Sequence, residues 1–401
     1  MYKLINKFLL SSLLITIFFA QTSWSQEKLK IGVSIRMISD IGFKHGKMME
    51  DEVDIINRKG GINGRQIELI FLNDECKSEK GIANAQKLIH QHKVLLLIGS
   101  SCSSVTLPMV DVSSKAGVPH ITPHSTSSKI TERGSAWIFR VPISSRFYKS
   151  VDAEHLAKNV GLRLAFIISA DSASLTQATQ IKEKIKKDHG VDPLMFVTVQ
   201  QGEMDFRAHL LKAKSLNPDA LLISAGTVAG GAKALIQSYE VGIPSSVKRI
   251  LGSGASKQEI PTLAGDAVKG VYFTAAFSAA DKRPIAQLFT RMIKEKYGVL
   301  PDHDFSQAWD LMQIVRIALE NSDIKNTPDS LAADRTAIRD ALTNVKDYHG
   351  LASGPISFCA APTAQCRDGN KTPVMIEYVK GGKDFETKIL GTITFDAGHG
   401  L

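Results

Sequence analysis

Two hydroxyl-rich segments carry side chains that could do chemistry. Gly99-Ser100-Ser101-Cys102-Ser103-Ser104-Val105-Thr106 follows a short apolar run and leads into helical periodicity, and Pro123-His124-Ser125-Thr126 follows the next such run. Hydroxyls beside the free N–H groups of a helix start suit a small anion such as a carboxylate. The same hydroxyls would also serve as plain N-caps. His90 and His92 flank Gln91 at the end of a predicted helix, a spacing open to a metal, but no third ligand accompanies them and a solvated helix end is the reading adopted. There is no G-x-S-x-G elbow, no G-x-x-x-x-G-K-[ST] loop, no H-E-x-x-H and no G-x-G-x-x-G, and Gly252-Ser253-Gly254 reads as a turn. Ser103 or Cys102 as a nucleophile would need a histidine-carboxylate partner that no motif places. The chain is therefore not expected to be an enzyme, and no cofactor or metal is called for.

The elements that position these segments alternate. Lys30 to Ile35 reads as a strand, Phe43, Met49, Val53 and Ile56 recur at helical spacing, and Gly60-Gly61 stops that helix. Gln66 to Asn73 and Val94 to Ile98 are the next strands, with Ile82, Ala85, Leu88 and Ile89 marking a helix between them. Such a βαβαβ run folds as a parallel sheet covered on both faces. A second series runs through Leu164 to Ile168, Leu194 to Val199 and Leu221 to Ser224, so two similar α/β lobes are expected. Afterwards Ile285, Leu288, Phe289, Met292 and Ile293 mark one amphipathic helix, and Phe305, Ala308, Trp309, Met312, Val315 and Leu319 another. The chain is expected to cross near Pro142 and return near Phe277, which assigns both helices to the first lobe. Val374 to Val379 and Lys388 to Thr394 are strand-like again. Both hydroxyl segments then lie at carboxyl ends of parallel strands, where open α/β sheets bind ligands.

The chain has 401 residues, 43% of them hydrophobic and 22% charged, which excludes a disordered chain. Its formal charge of +9 is scattered rather than clustered, so no nucleic-acid face is indicated. Lys3 and Lys7 precede the largely apolar stretch Phe8 to Ala20, and Ser23 and Ser25 stand where a signal peptidase reads. Residues 1–25 read as a secretory signal cleaved before Gln26, because the apolar stretch falls short of the about 20 residues a membrane span needs. The first cysteine is Cys76, so none is placed to carry a lipid anchor. Export makes disulfides the expected state of the four cysteines. Three pairings are open; the short Cys359 to Cys366 spacing favours a local clip, and Cys76 and Cys102 each follow a predicted strand.

The sequence resembles the periplasmic binding proteins of branched-chain amino acid ABC transporters, the Leu/Ile/Val-binding type, across the whole mature chain. Four segments in order carry the resemblance: Ile56-Asn57-Arg58-Lys59-Gly60-Gly61-Ile62-Asn63-Gly64, Asn73-Asp74-Glu75-Cys76, Ile98-Gly99-Ser100-Ser101-Cys102-Ser103-Ser104, and Ile121-Thr122-Pro123-His124-Ser125-Thr126. It implies a type I periplasmic binding fold, α/β with two Rossmann-like lobes of parallel sheet joined by a three-strand hinge. Residues 26–142 plus 279–368 would form lobe 1, and 143–278 plus 369–401 lobe 2. Ser103 and Thr126 match side chains that hold the ligand carboxylate, with Ser125 beside them, and His124 matches a position that contributes backbone groups. Cys76 and Cys102 match a first-lobe disulfide.

The sequence also departs from that pattern. The loop Arg36 to Gly42 is shorter, Ile41 stands where amino-acid binders place an aromatic, and Ser174-Leu175 replaces an aromatic-glycine step. The acid that pairs with the ligand ammonium falls near Gly254, which cannot do so. A standard amino acid would leave its ammonium unpaired unless Asp40 or another acid takes that place. Arg36 would favour a second anionic group or an aromatic face. The resemblance implies a monomeric, extracytoplasmic importer component that passes a small carboxylate-bearing ligand, an amino acid or an organic or aromatic acid, to an inner-membrane permease. A ligand-sensing partner of a membrane receptor is the alternative.

Overall fold

The computed structural model describes residues 27–37, 40–252, 255–352, 354–369 and 372–392. The proposed signal segment, and Gly254, lie outside them. The first sheet holds β1 (Leu29–Ile35), β2 (Ile67–Asn73), β3 (Leu96–Gly99), β4 (His120–Thr122) and β5 (Ile138–Arg140), in the order β2-β1-β3-β4-β5. Every pairing in it is parallel. Its strands are short apolar runs because both faces are covered, and β1 is buried almost throughout. The helix Asp40–Arg58 stops at Gly60 and Gly61, whose φ values are +102° and +73°. A Cβ on Gly61 would stand 2.0 Å from the Arg65 carbonyl oxygen, so the turn back into β2 admits no side chain there.

The second sheet holds β6 (Leu164–Ser169), β7 (Met195–Val199), β8 (Ala220–Ser224), β9 (Lys248–Leu251), β10 (Tyr272–Ala275), β11 (Val374–Lys380) and β12 (Glu386–Thr392). Their order is β12-β11-β10-β9-β8-β6-β7. From β7 to β10 the pairing is parallel, but β11 and β12 join it antiparallel. This departs from an all-parallel lobe. A short link from Gly381 to Phe385, with Gly382 at φ +83°, joins β11 to β12, and so short a link can only reverse the strand.

The helices Pro284–Tyr297 and His303–Glu320 bury Ala286, Phe289, Phe305, Ala308 and Leu311 in one core with Ile31, Val33, Ile98 and Phe139 of the first sheet. The chain therefore passes from the first sheet to the second after β5, returns after β10, and passes over again before β11. The first and third passages are tied by Arg140 and Asp368, both fully buried, with Arg140 Nε 2.9 Å from Asp368 Oδ1 and Arg146 Nε 3.1 Å from Asp368 Oδ2. The apolar stripe of the helix Pro284–Tyr297 is only half used, for Ile285, Leu288 and Met292 remain exposed. The stripe is wider than the arc that reaches the core. Among the described residues no helix is long and apolar enough to cross a membrane.

Candidate functional site

The carboxyl ends of the two sheets face each other across a cavity of about 130 Å³. On the first lobe its wall is Arg36 after β1, Ser101 to Ser104 after β3, and His124 and Thr126 after β4. Ser100 organises this wall from behind. Its carbonyl accepts from Thr122 Oγ1 and from Ser125 Oγ, each at 2.9 Å, and its hydroxyl donates to Asp74 Oδ2 at 2.7 Å. Ser125 is thus a buried strut and does not line the cavity.

Cys76 and Cys102 form one disulfide, and Cys359 and Cys366 the other. The first borders the cavity and ties the loop after β2 to the start of the helix Ser103–Lys115. Non-reducing peptide mapping of the exported protein is expected to recover these two links and no free thiol; a peptide joining Cys76 to either C-terminal cysteine would refute the pairing.

The N-cap of the helix Ser103–Lys115 is Cys102, without a side-chain cap. The Ser103 hydroxyl instead accepts from the Ser127 N–H at 3.2 Å, across the wall. A hydroxyl that accepts there keeps its own proton for another acceptor. His124 is buried, and its Nε2 lies 3.0 Å from the Asp304 carbonyl while Nδ1 lies 3.2 Å from Ser101 Oγ. A carbonyl only accepts, so the proton sits on Nε2. Burial, with the neighbouring His45 ring, holds the His124 pKa well below its ordinary value, and the ring is neutral. Arg36 makes no hydrogen bond or ion pair among the described residues.

The second lobe contributes Tyr148, Asp171, Ala173, Gln177, Gln201 and Thr227, followed by Gly252, Ala255, Lys257 and Thr274. Burial pushes the Asp152 carboxyl up to about 6, and it is held from two sides by Gln177 Nε2 at 3.1 Å and by Thr274 Oγ1. The Tyr148 hydroxyl is shut off from solvent and has no hydrogen-bond partner among the described residues. Ser174 lies beneath the surface, accepting from Ser224 Oγ at 2.8 Å, and does not line the cavity. Asp171, which caps the helix Ser172–His189 two residues after β6, lines it instead. Neither Asp171 nor Tyr148 stood out in the sequence; the one available signal was an acid directly after a predicted strand.

The two lobes are closed onto each other. Lys257 of the second lobe forms an ion pair with Asp304 of the first, and Ser256 Oγ bonds His303 Nδ1. His303 Nε2 lies 2.8 Å from Asp304 Oδ1, and burial first, then the Lys257 ammonium, pushes the His303 ring down to about 3. Gln180 Nε2 reaches Ser128 Oγ at 2.8 Å on the other side of the cleft. His45, His124 and Asp304 bring ligand atoms within 4.8 Å of one another, the only such cluster among the described residues. The Lys257 ammonium already supplies the positive charge there, so this cluster is a latch rather than a vacant metal centre. His90 and His92 lie at the end of the helical turn Lys87–Gln91 and do not line the cavity.

Strand ends of two lobes, closed by ion-paired contacts over a polar cavity, define a two-lobed solute-binding protein. The chain belongs to the periplasmic binding protein family, which matches it over residues 30–370. Members of that family are solute-binding proteins rather than enzymes. A Leu/Ile/Val-binding protein homologue of Brucella melitensis is 26% identical over 330 residues, 81% of this chain and 86% of that protein. A leucine-binding protein of Thermotoga maritima superposes with a TM-score of 0.77 at 25% identity, over 91% of this chain and 98% of that one. A solute-binding protein of Rhodopseudomonas palustris, solved with 3,4-dihydroxybenzoic acid, superposes with a TM-score of 0.77 over 91% of this chain and 97% of that one; at 22% identity it shows the shared fold alone.

Proposed function

We propose that the chain is the extracytoplasmic substrate-binding protein of an ABC importer, exported through residues 1–25, monomeric, and delivering its ligand to an inner-membrane permease. The ligand is small, carries a carboxylate, and is enclosed between a lobe made of 26–142 plus 279–368 and one made of 143–278 plus 369–401. One observation carries the reading: the unpaired Arg36 guanidinium shares a cavity wall with the Ser103 and Thr126 hydroxyls and the start of the helix Ser103–Lys115. An unpaired guanidinium in a cleft that closes is costly without an anion, and the orphan N–H groups of a helix start favour the same charge. Relatives with printed ligands include amino-acid and aromatic-acid binders, which agrees with a carboxylate as the common element.

A thermal-shift screen of L-amino acids, benzoate and hydroxybenzoates tests this. A ligand present at 100 times its dissociation constant stabilises the folded protein by about 2.7 kcal/mol, a readily visible rise in Tm. Arg36→Gln is expected to lower affinity for the compound so found by about ten- to a hundredfold, since a hydrogen bond to a charged group is removed. If neutral amides or sugars stabilise the protein and no carboxylate does, the reading is wrong.

A further inference from the structure

One buried charge sets the polarity of the second-lobe wall. Asp152 of the helix Ser145–Asn159 is 2% exposed and does not line the cavity, yet both of its partners do: Gln177 Nε2 donates to its Oδ2 at 3.1 Å, and Thr274 Oγ1 donates to its Oδ1. Burial pushes the Asp152 carboxyl up only to about 6, so it is ionised at neutral pH. A carboxylate accepts and cannot donate, which fixes the direction of both bonds. The Gln177 amide must turn its NH2 group inward, and the Thr274 hydroxyl must give up its one proton. What each has left is an acceptor. Gln177 Oε1 bonds nothing among the described residues and, unlike the Tyr148 hydroxyl, is not shut off from solvent.

The rest of that wall gives an aliphatic chain little to rest on. Beside the Tyr148 ring, its apolar side chains are Ala173, Val228 and Ala255. An aliphatic group enclosed there would strip water from Gln177 Oε1 and return no donor, and a buried acceptor left bare costs affinity. We propose that Gln177 Oε1, with the Thr274 Oγ1 that shares its Asp152 partner, accepts a hydrogen bond from a neutral hydroxyl or amide N–H at the end of the ligand away from its carboxylate. The cleft then selects small hydroxylated or amide-bearing carboxylates over aliphatic ones, and leucine, isoleucine and valine are poor ligands. Asp152 is a positioning residue that touches no ligand. This rests on the carboxylate reading above and adds to it what the far end of the ligand must carry.

The test is isothermal calorimetry with probe pairs of matched shape that differ only at the far end: L-threonine against L-valine, L-asparagine against L-leucine, and 4-hydroxybenzoate against 4-methylbenzoate. The wild-type protein is expected to bind the donor-bearing member of at least one pair about a hundredfold more tightly than its apolar counterpart, because a site built around a hydrogen bond rejects the analogue that lacks it. Gln177→Met keeps the length of the side chain, and is expected to bring that ratio within about tenfold while the apolar member binds no more weakly than before. If the bare Asp152 Oδ2 keeps that variant from folding, Asp152→Asn combined with Gln177→Met removes the charge and serves instead. Apolar members that bind the wild type as tightly as their counterparts, or a ratio that survives the substitution, would overturn the role of Gln177 and leave the carboxylate reading standing. Failure of every carboxylate, these and those of the thermal-shift screen, to bind the wild type would overturn both.

Discussion

Asp304→Asn is expected to weaken ligand binding by at least about a hundredfold, through closure of the lobes rather than contact with the ligand. With the lobes closed, the Lys257 ammonium is largely buried and its partner is the Asp304 carboxylate. Burial lowers the Lys257 pKa from its ordinary value, and the neighbouring Asp302 and Glu259 carboxylates oppose that shift. Removing one member of a buried pair costs about 3 to 5 kcal/mol. Lys257 retains some solvent contact, so the lower part of that range applies, and open lobes avoid the cost because water then solvates the ammonium. Ligand binding draws on closure, so the loss appears in Kd, and small-angle scattering with ligand should show less compaction than in the wild type. Combining Asp304→Asn with Lys257→Met removes both charges and should recover most of the affinity. A single variant that binds and compacts like the wild type would show that the pair contributes nothing to closure.

Thr126→Ala is expected to lower affinity by about ten- to a hundredfold with little change in the melting temperature of the ligand-free protein. Its hydroxyl lines the cavity and has no hydrogen bond among the described residues, so its loss disturbs no internal contact. Ser103→Ala should weaken binding to a similar degree but also melt lower, because the Ser127 N–H loses its acceptor. That stability cost is about 1 to 3 kcal/mol. Measuring binding and melting on both variants separates anion recognition from scaffolding. A Thr126→Ala protein that binds the screened carboxylate as tightly as the wild type would remove this wall from the site.

What was legible in the sequence was local. Strand and helix periods, the glycine stop after the helix Asp40–Arg58 and the hydroxyl runs after β3 and β4 are set by backbone sterics and near neighbours, and they sufficed for two α/β lobes and one wall of the cleft. They did not suffice to say which polar side chains reach the cavity. Ser125 and Ser174 sit in the same strand-end segments as Thr126 and Asp171, yet their hydroxyls turn into their own lobes to meet the Ser100 carbonyl and Ser224 Oγ. Arg36 could be read as a loop arginine or a ligand contact, and only the folded wall shows it unpaired in the cavity. The latch was invisible for the same reason: His124 meets a residue 180 positions away, and Lys257 meets Asp304 across the cleft between the lobes. Pairing across such separations depends on how two separately formed lobes are set against each other by their crossing segments, and no short-range pattern encodes that.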